Sequence, residues 1–381
     1  MNITILNDTD DAFGDNAEAR VGATPDIVKS YVAAGHKVIV VKNAGKYANH
    51  YDDDYKAAGA SISASNKVAS KNADLVLSIT GKDAKFVAGL KSGAGITGLM
   101  NPTDNPKYAQ ACAKANVTAF ALEYIPRISR AQSMDVLSSQ SNLSGYRAVV
   151  EGASIYGRAM PMMMTAAGTI APAKCFIMGV GVAGLQAIAT ARRLGAVTTA
   201  TDVRPATKEQ VASLGAKFIA VENEEFKEAE TAGGYAKQMS PEYQKLQAEL
   251  TASHIAKQDI VITTALIPGR AAPILVTKSM IANMRPGSVL VDLAAERGGN
   301  VEGAVAGKIV ETKNGVKIVG LLNWPSRLAS DSSAMFAKNL KNFIPLVTAE
   351  DGSYEPDWDD EIIQGCALTR DGKVIHERLK G

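Results

Sequence analysis

Gly179-Val180-Gly181-Val182-Ala183-Gly184 follows an apolar run at residues 173–178 and opens an apolar helix, and Thr201-Asp202 comes next. In this order the residues specify one kind of chemistry. The first glycine permits a tight strand-to-helix turn, and the second lets backbone N–H groups approach a pyrophosphate. The third lets the helix pack closely on the sheet, so that its positive end faces the phosphates. Asp202 stands 23 residues after Gly179, where a carboxylate accepts the adenosine ribose hydroxyls and repels a 2′-phosphate. NAD(H) is therefore the expected cofactor. A tight turn in an α/β core also accounts for the glycines, but it leaves the position of the acid unexplained.

Two other segments carry groups that can meet a ligand. Residues 126–142 hold Arg127, Gln132, Asp135 and Ser138, whose polar groups could hydrogen-bond a carboxamide and a ribose. A capped helix start with solvated side chains fits the same spacing. Residues 222–240 are charged and rich in small residues, with Gly233-Gly234 ahead of Tyr235. Such a stretch is long for a strand-to-helix connection and reads either as a lid or as a solvated surface excursion.

The elements that position these groups alternate between strand and helix, which implies α/β architecture with parallel sheets and crossover helices. Strands are expected at residues 3–6, 37–42, 73–79 and 117–122. Thr24 is the expected N-cap of a helix with Pro25 at its first position and Gly35 as its stop. This opening region has no glycine-rich phosphate loop and so no nucleotide of its own. A long helix over roughly residues 134–160 leads into the fingerprint domain. Residues 161–172 suggest a β-hairpin turning near Gly168, its Met162-Met163-Met164 run buried in a core or a subunit interface. Further strands fall near 216–221, 259–263 and 288–292, Pro325 closes the domain, and residues 328–346 are helical. From Thr348 the strand–helix rhythm is lost, as for a chain returning to its first domain. The expectation is two Rossmann-like, doubly wound parallel-sheet domains with a cleft between them: residues 1–136 plus 328–381, and residues 137–327.

Composition limits the partners. The 381 residues are 46% hydrophobic and 21% charged, with a net charge of +2 and no basic stripe, which argues against nucleic acid. Cys112, Cys175 and Cys366 are far apart and lack metal-ligand spacing, as expected of buried thiols in a reducing compartment. The N-terminus reads as a strand running into acids, not as a signal peptide. The most apolar stretch, residues 175–191, contains three glycines and Gln186 and is slightly short for a membrane span. Membrane association is expected only through a partner.

Taken together, residues 126–135, Gly145-Tyr146-Arg147-Ala148-Val149, the fingerprint, residues 233–239, Thr263-Thr264-Ala265-Leu266-Ile267-Pro268-Gly269 and Val291-Asp292-Leu293-Ala294 resemble the alanine dehydrogenase/transhydrogenase family. Within it they look like the NAD(H)-binding components of proton-translocating NAD(P)+ transhydrogenases. The resemblance runs from about Val117 to the C-terminus; earlier it rests on strand–helix order and on Arg20-Val21 before Thr24-Pro25. It implies that Arg127, Ile128, Ser129, Gln132 and Asp135 lie against the nicotinamide end, with Ser138 at the carboxamide. Gly179, Gly181 and Val182 fall at the pyrophosphate, and Asp202, Val203 and Arg204 at the adenosine. Gly234, Tyr235 and Met239 belong to a mobile loop, and Gln247 and Leu266 make lesser contacts. It further implies a homodimer on the cytoplasmic side of a bacterial inner membrane. Hydride would pass directly from NADH to NADP(H) on a partner component, and a membrane-spanning component would carry protons. Gln132, Asp135 and Arg127 would then position and take no proton. His36, His50, His254 and His376 lie outside these motifs and read as surface or structural residues.

The nearest alternative, an alanine dehydrogenase, uses a Lys and a His that fall at Ser78 and Leu99, and a catalytic Asp where Glu296 stands here. Transhydrogenases usually carry a Lys near Ser78 and a Glu-rich turn before Arg20; here that turn spans residues 8–19. A non-catalytic NAD-sensing subunit would use the same fingerprint and lid.

Overall fold

The computed structural model describes residues 1–9, 17–229, 239–266 and 271–379. The chain divides into two units, residues 1–140 with 325–381, and residues 141–324.

The first unit is built on six parallel strands: β1 (Asn2–Ile5), β2 (Lys37–Val41), β3 (Ser61–Ser63), β4 (Leu75–Thr80), β5 (Gly95–Leu99) and β6 (Thr118–Ala121), in the order β3-β2-β1-β4-β5-β6. Its crossover helices are α1 (Pro25–Ala33), α2 (Asp52–Ala57), α3 (Asn66–Ser70), α4 (Ala84–Val87) and α5 (Pro106–Lys114). Strand β4 shows why the sheet is covered on both faces. Leu75, Leu77 and Ile79 join one apolar cluster and Val76 the other, as period-two alternation requires. Pro25 begins α1 and Gly35 ends it in a left-handed conformation, but the Thr24 side chain makes no capping hydrogen bond. Helix α6 (Val136–Tyr156) carries the chain out of this unit.

The second unit begins with a two-stranded hairpin, β7 (Met163–Thr165) and β8 (Gly168–Ile170). Its side chains correct one expectation: Met162, Met163 and Met164 are exposed, so they fill no core of this chain. The main sheet contains β9 (Lys174–Met178), β10 (Val197–Thr201), β11 (Lys217–Phe218), β12 (Ile260–Thr263), β13 (Val289–Asp292), β14 (Ile309–Glu311) and β15 (Lys317–Val319). The order is β11-β10-β9-β12-β13-β15-β14, parallel except for the antiparallel pairing of β14 with β15. Helices α7 (Val182–Arg193), α8 (Thr207–Ser213), α9 (Glu224–Lys227), α10 (Pro241–Ile255) and α11 (Lys278–Ala282) complete it. The winding reverses between β9 and β12, the crevice where ligands of open α/β sheets bind.

The chain then returns to the first unit through α12 (Ala329–Phe343), α13 (Glu361–Cys366) and a small hairpin, β16 (Thr369–Arg370) with β17 (Lys373–Val374). Phe336, Leu340 and Phe343 of α12 pack in the same cluster as Ile3 and Leu75. The tail loses its strand–helix rhythm because it finishes the sheet edge. Leu368 N–H donates to Ala119 O at 2.8 Å, and the Thr369 hydroxyl accepts from Ala119 N at 2.9 Å and donates to Val117 O at 2.7 Å.

Candidate functional site

The chemistry-bearing turn of the second unit starts from β9, whose Cys175, Phe176 and Ile177 are fully buried. Gly179 follows with φ +99°, and a Cβ there would lie 2.6 Å from Thr264 Oγ1. The Thr264 hydroxyl donates to Gly179 O at 2.9 Å, which ties the end of β12 to the end of β9. Gly184 sits on the first turn of α7, where a Cβ would overlap Gly179 O. Gly145 does the same for α6, because a Cβ there would run into Ala183 O. The three glycines thus let a strand end and two helices share one small volume. By contrast, the Cβ position of Gly181 has nothing within 4 Å among the described residues, and no side chain caps α7. That leaves a helix N-terminus facing open space, the arrangement a phosphate needs.

Asp202 closes the other side. Its Oδ2 accepts from Val180 N at 2.7 Å, and its Oδ1 accepts from Arg204 N at 2.9 Å. The Arg204 guanidinium adds Nε to Oδ1 at 2.9 Å and Nη2 to Oδ2 at 3.0 Å, with a further bond to Val180 O at 3.3 Å. Gln247 of α10 spans neighbouring segments, accepting from Val221 N at 2.9 Å and donating to Thr201 Oγ1 at 3.4 Å. Val182, Val203 and Leu266, after the carboxyl ends of three neighbouring strands, are exposed apolar side chains. Met239 is half-buried, and its carbonyl accepts from Gln244 Nε2 at 2.8 Å. Gly234 and Tyr235 lie outside the described residues.

Arg127, Ile128, Ser129, Gln132, Asp135 and Ser138 all belong to the first unit, on and around a 3-10 turn, Ser129–Met134. Ala131 and Met134 anchor that turn in the core, whereas Arg127, Ser129 and Gln132 are exposed. Asp135 caps α6. Its Oδ1 accepts from Ser138 N at 2.9 Å and its Oδ2 from the Ser138 hydroxyl at 2.5 Å. Reasoning from sequence missed the roles of Val180 N–H, Thr264 and Gly145. The last two lie in runs that stood out as motifs, but nothing in the spacing revealed which atoms they meet.

Two family models cover this architecture almost end to end. The "Alanine dehydrogenase/PNT, N-terminal domain" matches residues 14–144, and the "Alanine dehydrogenase/PNT, C-terminal domain" matches residues 148–377. The chain belongs to the alanine dehydrogenase/PNT family.

Within this family it sits on the transhydrogenase branch. The first of the chains that make up NAD(P) transhydrogenase subunit alpha in Rhodospirillum rubrum is 52% identical over 370 residues, 96% of each chain. A crystal structure of transhydrogenase from Sinorhizobium meliloti matches with a TM-score of 0.88 at 50% identity, over 98% of this chain and 100% of that one. An alanine dehydrogenase from Halomonas elongata is only 27% identical over 370 residues, 96% of this chain and 93% of that one.

The side chains at the dehydrogenase positions agree with that placement. Ser78 is buried and its hydroxyl donates to Asp8 Oδ1 at 2.9 Å. Leu99 packs against the apolar core, and Glu296 accepts from Asn323 N at 2.6 Å. A lysine does come close to Ser78 in space, although not in its place. Lys82 pairs with Asp8, which also accepts from Ile79 N at 2.8 Å. Burial still pushes the Asp8 carboxyl above its ordinary range despite the Lys82 charge and these hydrogen bonds. The four histidines have structural surroundings. His254 shares a hydrogen with Thr199 Oγ1 at 2.8 Å, His376 stacks on Tyr124, His50 sits edge-on to Tyr55, and His36 is buried.

Proposed function

We propose that this chain is the NAD(H)-binding subunit of a proton-translocating transhydrogenase. In this reading it passes hydride from NADH to NADP+ held on a partner component, while a membrane-spanning component carries the protons. It works as a homodimer, peripheral to the cytoplasmic face of the inner membrane. Among the described residues no helix is long and apolar enough to cross a membrane, which fits a subunit that depends on its partners for attachment.

The observation that carries the reading is the Asp202 carboxylate held against Val180 N–H beside the uncapped start of α7. The residues present fit an adenine dinucleotide. Gly179, Gly181 and Val182 would hold the pyrophosphate, and Asp202, Val203 and Arg204 the adenosine. Gln247, Leu266 and Met239 would add contacts, with Gly234 and Tyr235 in the closing loop. Bound NADH supplies the hydride, and that transfer moves no proton. Arg127, Ile128, Ser129, Gln132, Asp135 and Ser138 therefore bind and orient the nicotinamide end, and their contribution is the geometry of two rings held together.

Mixing the purified chain with an NADP(H)-binding transhydrogenase component and following hydride between the two nucleotide pools tests the proposal. Transfer that depends on both proteins is the expected result. Oxidation of alanine without any NADP(H) partner would favour dehydrogenase chemistry, and NADH binding without transfer would favour a sensing subunit.

A further inference from the structure

The turn that carries Gln132 and Asp135 is held from outside its own sequence. Asn339 on α12 is buried, and its amide reaches both flanks of the segment. Its Nδ2 donates to Ser133 O at 2.8 Å, and its Oδ1 accepts from the Ser139 hydroxyl at 2.7 Å. Inside the bracket, Asp135 N donates to Gln132 O at 3.3 Å and Ser139 N to Asp135 O at 3.2 Å, so the backbone of both candidate residues depends on the pinned ends. Only an amide of this length has a donor and an acceptor at the two required places. An aspartate would lose the donor and bury a charge, and an alanine would leave the Ser133 carbonyl and the Ser139 hydroxyl without this partner. Asn342 also donates to Ser133 O, at 3.2 Å, but it is exposed and touches only that one flank.

We infer that Asn339 is a positioning residue for hydride transfer, acting through Gln132 and Asp135 by fixing the turn that presents them. This rests on the proposed function, because it matters to catalysis only if that turn orients a nicotinamide. A misplacement of about 1 Å can cost about a hundredfold in rate, so loss of the bracket should appear in the transfer step before it appears in affinity.

Hydrogen exchange on the nucleotide-free chain gives a readout that needs no activity. Asn339→Ala should speed exchange of the amides in residues 133–139 about tenfold, with the strands of the first sheet unchanged. With the NADP(H)-binding component present, the same variant should lower the transfer rate at least tenfold and leave the Kd for NADH within threefold. Ser139→Ala, which removes one hydroxyl, should show a smaller loss of the same kind, and Asn342→Ala should behave like wild type. In a Gln132→Ala background Asn339→Ala should cost little more, because the two act in series. Unchanged exchange would overturn the bracket, and full additivity with Gln132→Ala would overturn its link to transfer. If wild type shows no transfer with the partner, the proposed function fails and this role fails with it, whatever the exchange shows.

Discussion

Replacing Glu18 by Gln should change how the first unit responds to acid. Glu18 and Arg20 form an ion pair with both side chains less than a tenth exposed. Arg20 Nε and Nη2 each donate to the carboxylate at 2.8 Å, and its Nη1 donates to Gln140 Oε1 at 2.8 Å. The Ser326 hydroxyl donates to Glu18 Oε1 at 2.5 Å. The pair therefore ties the chain just before it leaves the unit at residue 140 to the chain just after it returns at residue 325. Burial alone would raise the Glu18 pKa, but the Arg20 charge and the hydrogen bonds from Arg20 and Ser326 outweigh it and lower the value from 4.5 to about 2. A carboxylate depressed in the folded state gives stability that is fully present above pH 4.5 and is lost as the pH falls toward 2. At about 1.4 kcal/mol per pH unit, that fall is worth about 3 kcal/mol. Urea unfolding followed by Trp358 fluorescence, in a Trp324→Phe background and at fixed ionic strength, reads this unit. At pH 7 Glu18→Gln should be destabilised by about 3–5 kcal/mol, because Arg20 is left buried without its partner. The gap to wild type should then close by about 3 kcal/mol between pH 5 and pH 2, since only wild type has this carboxylate to protonate. Parallel pH profiles would refute the reasoning.

Asp202 should set cofactor choice: equilibrium dialysis should show NADH binding more tightly than NADPH, and Asp202→Ala should narrow the difference, whereas an unchanged ratio would count against it. Gly145→Ala places a methyl group against Ala183 O, so it should cost about 1–3 kcal/mol of stability in the second unit and weaken NADH binding; wild-type values for both would show that α6 yields without consequence. Burial pushes the Cys112 and Cys175 thiols up to about 12, so both should resist thiol reagents at pH 8 until the chain unfolds, and rapid labelling of native protein would contradict this.

What the sequence made legible follows from how local each signal is. The turn after β9 could be read because its glycines, its strand and its helix are neighbours in the chain, and so could the strands with unbroken apolar runs. Strand β5 was not legible, because Gly95 and Gly98 give it the look of a loop. Structure supplies the reason for one of them: a Cβ at Gly95 would lie 2.7 Å from Tyr354 Cζ, on a segment about 260 residues away. Strand β3, with a serine on each side of Ile62, pairs with β2 at the edge of the sheet and needs no apolar run. Asn339 left no trace in sequence either, since an asparagine on a helix face signals nothing until the segment it holds is seen beside it.

Arg204 shows why spacing rules read charge better in pairs than singly. An arginine two residues after the acid invites the expectation of a 2′-phosphate site, because a guanidinium recognises phosphate well. Here the two opposite charges meet in one geometry. Nε and Nη2 of Arg204 are directed onto the two oxygens of Asp202, and the backbone N–H of Arg204 joins them. Its charge is thus already balanced at short range, and a 2′-phosphate approaching the pair would meet the carboxylate's repulsion with the guanidinium turned inward. Removing Asp202 would free Arg204 at the same stroke. The selectivity against NADPH is then a property of the pair, which is why Asp202→Ala should do more than delete a hydroxyl acceptor: it converts the neighbouring arginine from the aspartate's partner into a phosphate's.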